Sequence, residues 1–298
     1  MSQIFDALHR SESERQGLGP GRFTTATELL EAAERNLSQD LPQSRSRPAG
    51  GQGDQSNPFS LAKLLVPSHS KLVFGRDGES LAAEKFRYLG VRLRHVQQKR
   101  NLRRLLITSS MPEEGKSTVA ANLACTLATK HEQKVLLLEG DLRRPSLAQQ
   151  FGVGSVPGLS EWLQGETSPA MNLCRLESLG LYILPAGKPP SDPLALLQSE
   201  KLPRLMDHMS SWFDWIVIDS PPVLPLADTS IWMRLADAIL LVTRPGTTTK
   251  SQLQKSIEVL EQPKLLGALV NGSQETASSA YYYGGRQAEP ATAGQGTR

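Results

Sequence analysis

Residues 105–118, Leu-Leu-Ile-Thr-Ser-Ser-Met-Pro-Glu-Glu-Gly-Lys-Ser-Thr, constrain this chain more than any other stretch. A short apolar run reads as a strand, the segment closing on Gly-Lys-Ser-Thr as a turn, and residues from about Ser117 to Lys130 as a helix. That geometry suits an anion. The first N–H groups of a helix lack intrahelical partners and the helix dipole favours negative charge there. Gly115 lets backbone approach a phosphate closely, Lys116 reaches the β- and γ-phosphates, and the Ser117 hydroxyl can ligate a divalent ion. Glu114 and Thr118 complete the cradle, so residues 114–118 are the expected nucleotide contacts. Ser110 stands where the strict pattern G-x-x-x-x-G-K-[ST] has its first glycine, and a chance Gly-Lys-Ser at a helix start is the plain alternative. The flanking strand and helix are the context that argues against chance.

The rest of the core alternates strand and helix. Strands are expected at residues 104–109, 134–139, 181–185, 215–219, 238–243 and 265–270, and helices at 79–98, 117–130, 159–163, 194–209, 228–235 and 248–260. Near-continuous apolar strands such as Val135-Leu-Leu-Leu and Trp215-Ile-Val-Ile predict a mostly parallel sheet covered on both faces by helices, an α/β fold. Such sheets bind ligands beyond the carboxyl ends of their strands. Two of those ends carry acids. Asp219 closes Trp215–Ile218 and precedes Ser220-Pro221-Pro222, and there it can hold Mg²⁺ through its water shell opposite the phosphate turn. Glu139 and Asp141 follow Leu136–Leu138 and precede Arg143-Arg144-Pro145. These carboxylates can orient metal-bound water and draw a proton from an attacking hydroxyl, and the arginines can carry phosphoryl charge or form subunit contacts. Asp141 can equally cap a helix starting near Pro145, a role that explains Glu139 poorly.

A net charge of +3 and a lone basic cluster at residues 99–104 do not make a nucleic-acid surface. Two well-separated cysteines, Cys125 and Cys174, suit a reducing compartment rather than a disulfide framework or a metal site. No apolar run approaches the ~20 residues of a membrane span, and the start lacks the pattern of a secretory signal, so the expectation is a cytoplasmic protein. Residues 1–37 read as a helical segment, with Leu29, Leu30, Ala33 and Leu37 on one face. Residues 38–60, rich in Gln, Ser, Pro and Gly, read as a flexible linker. The main domain is expected over 61–271, opening on a helix whose exposed side carries Glu84 and Arg87, and 272–298 form a flexible tail. Three of the chain's five tyrosines, Tyr281, Tyr282 and Tyr283, fall in that tail among Ser, Ala and Gly. Core packing does not explain them. A docking patch and a tethered phenolic substrate are equally open on these residues alone.

Taken together, these residues resemble the bacterial tyrosine kinase family, the polysaccharide-biosynthesis tyrosine autokinases. Thr108–Thr118 is similar to the family's first Walker motif, Leu136–Pro145 to its extra acidic motif, Trp215–Pro222 to its Walker B motif, and Tyr281–Tyr283 to its tyrosine cluster. The resemblance implies a P-loop NTPase fold and transfer of the γ-phosphoryl of ATP, with Mg²⁺, to tyrosines in a neighbouring subunit's tail. By it Lys116 neutralises phosphate charge, Ser117 and Asp219 hold Mg²⁺, and Glu139 and Asp141 serve the metal and the incoming phenol. Asn271 matches an asparagine that contacts adenine in related ATPases. It also implies a homo-oligomer with Glu84 and Arg87 at its contacts, a membrane-bound polysaccharide chain-length or export adaptor that recruits the enzyme to the inner face of the membrane, and a tyrosine phosphatase. The chain departs from the family where Glu139 replaces an aspartate and Gly90 an arginine. The main alternative is a nucleotide-switched scaffold of the same fold, like the partition and positioning ATPases. Those carry a second lysine early in the phosphate turn, where this chain has Met111. An iron–sulfur carrier of this fold would need paired cysteines.

Overall fold

The computed structural model describes residues 60–62, 70–73, 80–129, 133–166, 173–176 and 179–272, all within the larger of the chain's two units, Phe59–Arg298. The expected N-terminal helical segment, nearly all of the linker, and the tail with Tyr281, Tyr282 and Tyr283 lie outside the described residues.

Among the described residues eight strands make one sheet: β1 (Ser60–Ala62), β2 (Arg104–Ser109), β3 (Val135–Glu139), β4 (Cys174–Leu176), β5 (Leu181–Leu184), β6 (Trp215–Asp219), β7 (Ala238–Thr243) and β8 (Leu265–Val270). Their spatial order is β1-β4-β5-β3-β6-β2-β7-β8. Every neighbouring pair is parallel except β4–β5. The strand of the phosphate turn, β2, therefore lies between β6 and β7, and β3 lies beyond β6. Three acid-bearing or phosphate-facing strand ends stand side by side as a result.

Among the described residues the helices are α1 (Leu81–Lys99), α2 (Lys116–Ala128), α3 (Leu147–Phe151), α4 (Leu159–Gln164), α5 (Pro193–Leu197), α6 (Lys201–Trp212), α7 (Asp228–Leu235) and α8 (Lys250–Val259). The apolar strands feed two separate cores because successive side chains leave a strand on opposite faces. Leu105, Ile107, Leu137 and Val217 pack with Val119, Leu123 and Leu127 of α2. Leu106, Leu136, Leu138, Ile216 and Ile218 pack on the other face with α4, α6 and α7. Each such burial contributes about 1.5–3 kcal/mol before conformational entropy is subtracted, so the strand ends sit on a stiff platform.

Helix α1 starts at Ser80, whose hydroxyl accepts the Ala83 N–H at 3.2 Å, and it crosses α2 at close range. Gly90 is the crossing point: a Cβ there would lie 3.1 Å from Thr126 Cγ2. Arg94, one turn on, donates to the Thr126 and Leu127 carbonyls at 3.1 and 3.3 Å, which closes the end of α2. A glycine inside a helix costs about 1 kcal/mol relative to alanine, and the helix contact accounts for its presence here. Among the described residues no helix is long and apolar enough to cross a membrane.

Candidate active site

The phosphate turn runs from Ser109 into α2. It is shaped by two left-handed residues, Glu113 (φ 66°) and Gly115 (φ 88°). Gly115 is the N-cap of α2, contributes no side-chain cap, and is followed by a first turn free of acids. The leading N–H groups of a 13-residue helix are thus left facing the space above β2, the arrangement that receives an anion. Glu114 does not face that space. It is buried, and its Oε2 accepts the Met111 N–H at 2.7 Å, which braces the turn from within. Burial raises its pKa, against which the backbone N–H groups of Met111, Arg244 and Ser110 work.

Lys116 points across the turn to the end of β3. Its Nζ lies 3.0 Å from Asp141 Oδ2 and 3.4 Å from Ser117 Oγ. Burial works against the ammonium, but the charges of Asp219 and Asp141 outweigh it and hold the Lys116 pKa above its ordinary value. Asp141 spends its other oxygen on the Arg144 N–H at 3.0 Å.

Asp219 ends β6 in register with Glu139 at the end of β3 and with Ile107 of β2. The chain beyond it is pinned to β2. Thr108 Oγ1 donates to the Pro221 carbonyl at 2.8 Å, and the Val223 N–H reaches the Ser109 carbonyl at 2.8 Å. The Asp219 side chain is wholly buried, and among the described residues neither of its oxygens accepts a hydrogen bond of good geometry. The Ser117 hydroxyl lies near enough to favour the ionised form all the same. Burial pushes the Asp219 pKa up to about 7, with the Lys116 charge and that hydroxyl opposing the rise. A buried carboxylate without donors is a costly arrangement unless something binds it. Beside a helix N-terminus, a lysine and the Ser117 hydroxyl, the set fits a magnesium-bound polyphosphate. Mg²⁺ keeps several waters and takes phosphate oxygens as ligands. Among the described residues no group of three or more His, Cys, Asp or Glu is placed to hold a metal ion by itself.

Glu139 has other partners. Its Oε1 accepts the N–H groups of Ser146 and Leu147, the latter at 2.7 Å, and its Oε2 accepts the Ala186 N–H at 3.0 Å. The capping role that the sequence offers to Asp141 is filled by Glu139. Asn271 follows β8 with its N–H on the Thr243 carbonyl, and its side-chain Nδ2 donates to the Glu114 carbonyl at 2.9 Å. It leans directly over the phosphate turn: a Cβ on Gly115 would stand 2.1 Å from that amide nitrogen. Thr118 faces a different space, a cavity of about 250 Å³ shared with Ser70, Lys71, Gln149 and Gln150.

Two residues beside the site, Asp228 and Trp232, were not legible in sequence, and the first of them holds Arg143. Arg143 forms a fork with Asp228, Nε to Oδ2 at 2.7 Å and Nη2 to Oδ1 at 3.1 Å, so its guanidinium is tied to the start of α7. The Asp228 hydrogen bond is the largest cause of its raised pKa. Trp232 of α7 donates its indole N–H to the Gly140 carbonyl at 3.1 Å, and its ring covers Gly140. Glu84 and Arg87 stand apart from all of this on the exposed side of α1, paired with each other.

The structure therefore brings together Gly115, Lys116, Ser117, Asp141 and Asp219, with Asn271 above them and Glu139 beside them. Comparison with known proteins gives this arrangement its lineage. The ParA family, described as the NUBPL iron-transfer P-loop NTPase, matches residues 103–279. The tyrosine-protein kinase YwqD of Bacillus subtilis is 35% identical over 209 residues, which cover 69% of this chain and 88% of that one. The tyrosine-protein kinases etk of Escherichia coli and ptk of Acinetobacter johnsonii are 32% and 31% identical and much longer, and the chain spans 28% of their length. Among solved structures, the chimerical protein CapA2B2 is 26% identical with a TM-score of 0.65, covering 82% of this chain and 99% of that chain. The septum site-determining protein MinD of Pyrococcus horikoshii, solved with Mg-ADP, is 26% identical with a TM-score of 0.50, covering 61% of this chain and 76% of that one. The chain has the P-loop NTPase fold and belongs to the bacterial tyrosine-protein kinases.

Proposed function

We propose that this chain is an ATP-dependent autokinase that phosphorylates Tyr281, Tyr282 and Tyr283 of a neighbouring subunit and thereby regulates polysaccharide polymerisation or export. The observation that carries the chemistry is the 3.0 Å contact between Lys116 and Asp141, set against the wholly buried carboxylate of Asp219, which accepts no hydrogen bond of good geometry among the described residues. The backbone of residues 114–118 receives the phosphates, and Asn271, above the turn, meets the adenine. Lys116 turns from Asp141 to the β- and γ-phosphates as they enter. That move frees Asp141 Oδ2 to accept the proton of the attacking phenol. The phenol oxygen forms a bond to the γ-phosphorus, the bond to the bridging β,γ-oxygen breaks, and ADP leaves with that oxygen's electrons. Ser117 and Asp219 would hold Mg²⁺, which spreads the charge developing on the transferred group.

The family resemblance supports a membrane-bound chain-length or export adaptor as the activator and a tyrosine phosphatase as the opposing enzyme. Phosphotyrosine mass spectrometry after incubation with Mg-ATP and the adaptor tests the reading. Label on Tyr281–Tyr283 is expected. Lys116→Met should remove it by at least a hundredfold, because the transition-state charge then lacks its buried counter-ion (about 3 kcal/mol or more). Replacing the three tail tyrosines with Phe should remove tail label and leave ATP hydrolysis intact. Hydrolysis without any tyrosine label would instead identify a nucleotide-switched scaffold.

A further inference from the structure

Glu139 occupies the position at which the site's metal-serving acid was expected, yet its carboxylate is consumed by the protein itself. Three backbone N–H groups from two distant segments converge on it: Ser146 and Leu147 at the start of α3, and Ala186 just past β5. An ionised carboxylate has about four lone-pair sites, so most of its capacity is spent. The residue is almost fully buried, and β5 pairs with β3 immediately upstream. The Ala186 segment is itself a junction, because the Pro185 and Ala186 carbonyls accept the Leu159 and Ser160 N–H groups at 2.8 and 2.9 Å.

We infer that Glu139 is a positioning residue and not a magnesium ligand: its side chain ties the end of β3 to the start of α3 and the exit of β5, and so fixes the intervening loop that aims Asp141 at Lys116. The extra methylene of glutamate over aspartate lets one carboxylate span both segments. The loop 140–146 is then held at both ends. Gly140 donates its N–H to the Asp219 carbonyl at 2.7 Å, and Ser146 and Leu147 are fixed by Glu139. Asp141 is suspended between these anchors.

The inference rests on the proposed magnesium-nucleotide site, and its test is chosen to read out without catalysis. In chelator, with no nucleotide, Glu139→Gln puts an NH₂ donor against backbone N–H donors and should lower the thermal midpoint by about 4–10 °C. In the same variant, the Mg²⁺ concentration giving half-maximal binding of a fluorescent ADP should stay within twofold of the parent. An unchanged midpoint overturns the assignment, and so does a Mg²⁺ requirement raised fivefold or more. If Glu139→Gln does not fold, amide exchange of the unmodified protein decides. The Ser146, Leu147 and Ala186 amides should be equally protected in chelator and in Mg-ADP. A tenfold loss of protection on adding Mg-ADP would show the carboxylate leaving them for the ion, and would overturn the assignment. A kinase assay that failed for other reasons would leave all three readouts intact.

Discussion

Asp219 is the residue at which stability and function are most directly opposed. Burial pushes its carboxyl up to about 7 in the folded chain from an ordinary 3.8. Between those values the unfolded chain has released a proton that the native state retains, so this group makes stability fall as pH rises from about 4 to 7 and adds no further slope above. Asp219→Asn has no such proton. In chelator, the variant's denaturation midpoint relative to the parent should climb between pH 5 and pH 7 and then level off, while tyrosine phosphorylation is lost. Parallel midpoints across that range would refute the account. The strain was readable in part. Four apolar residues ending in an acid behind a phosphate turn announce a carboxylate with work to do. That its carboxylate is wholly buried with no hydrogen bond of good geometry among the described residues is a tertiary fact that no local sequence pattern encodes.

At the scale of elements, the acid-bearing loop after β3 is held by contacts across long stretches of chain. Gly140 lies under the indole of Trp232, and a Cβ at 140 would fall 2.7–2.9 Å from Cε2, Cζ2 and Nε1 of a fully buried ring. Gly140→Ala should therefore destabilise the chain by about 1–3 kcal/mol. Its effect should be smaller when Trp232 is already Phe, because residues in contact do not add. Denaturant titration of the four forms measures both, and full additivity would mean the ring does not press on the loop. The same distance explains which elements were legible. The strands of the central sheet and the helices α1, α2, α4, α7 and α8 announce themselves by local pattern and were expected near their observed bounds. One helix expected over 194–209 is instead two, α5 and α6, because the turn at residues 198–200 closes the first before the second begins. Strands β1 and β4, three residues each, carry too little pattern to read and exist through pairing alone. Arg143 likewise could be seen as a candidate for phosphoryl charge, but its fork with Asp228 joins residues 85 positions apart, beyond the reach of any spacing rule.

For the whole molecule, the proposal that one subunit phosphorylates another requires a face on which subunits meet. The outer side of α1 offers one. Glu84 and Arg87 are paired there, and Tyr88 and Val91 are 64% and 61% exposed beside them, an apolar strip flanked by charge. Gly90 is not part of it, since that position is turned inward onto Thr126 and an arginine there would push α1 off α2. The proposed assembly, if built on α1, would draw on Glu84, Arg87 and the neighbouring apolar side chains. Val91→Asp tests this cleanly. The side chain is exposed and valine and aspartate have similar helix propensities, so the fold should change by about 0.5 kcal/mol or less. A buried, unpaired charge at a subunit contact disfavours association far more strongly. Light scattering should show the variant shifted toward monomer, and tail label per chain should fall at least tenfold at low protein concentration, while ATP hydrolysis per chain stays near the parent's. Label that persists in a monomeric variant would mean the tail reaches its own site, and label lost together with hydrolysis would mean that the α1 face supports the phosphate turn rather than the encounter between subunits.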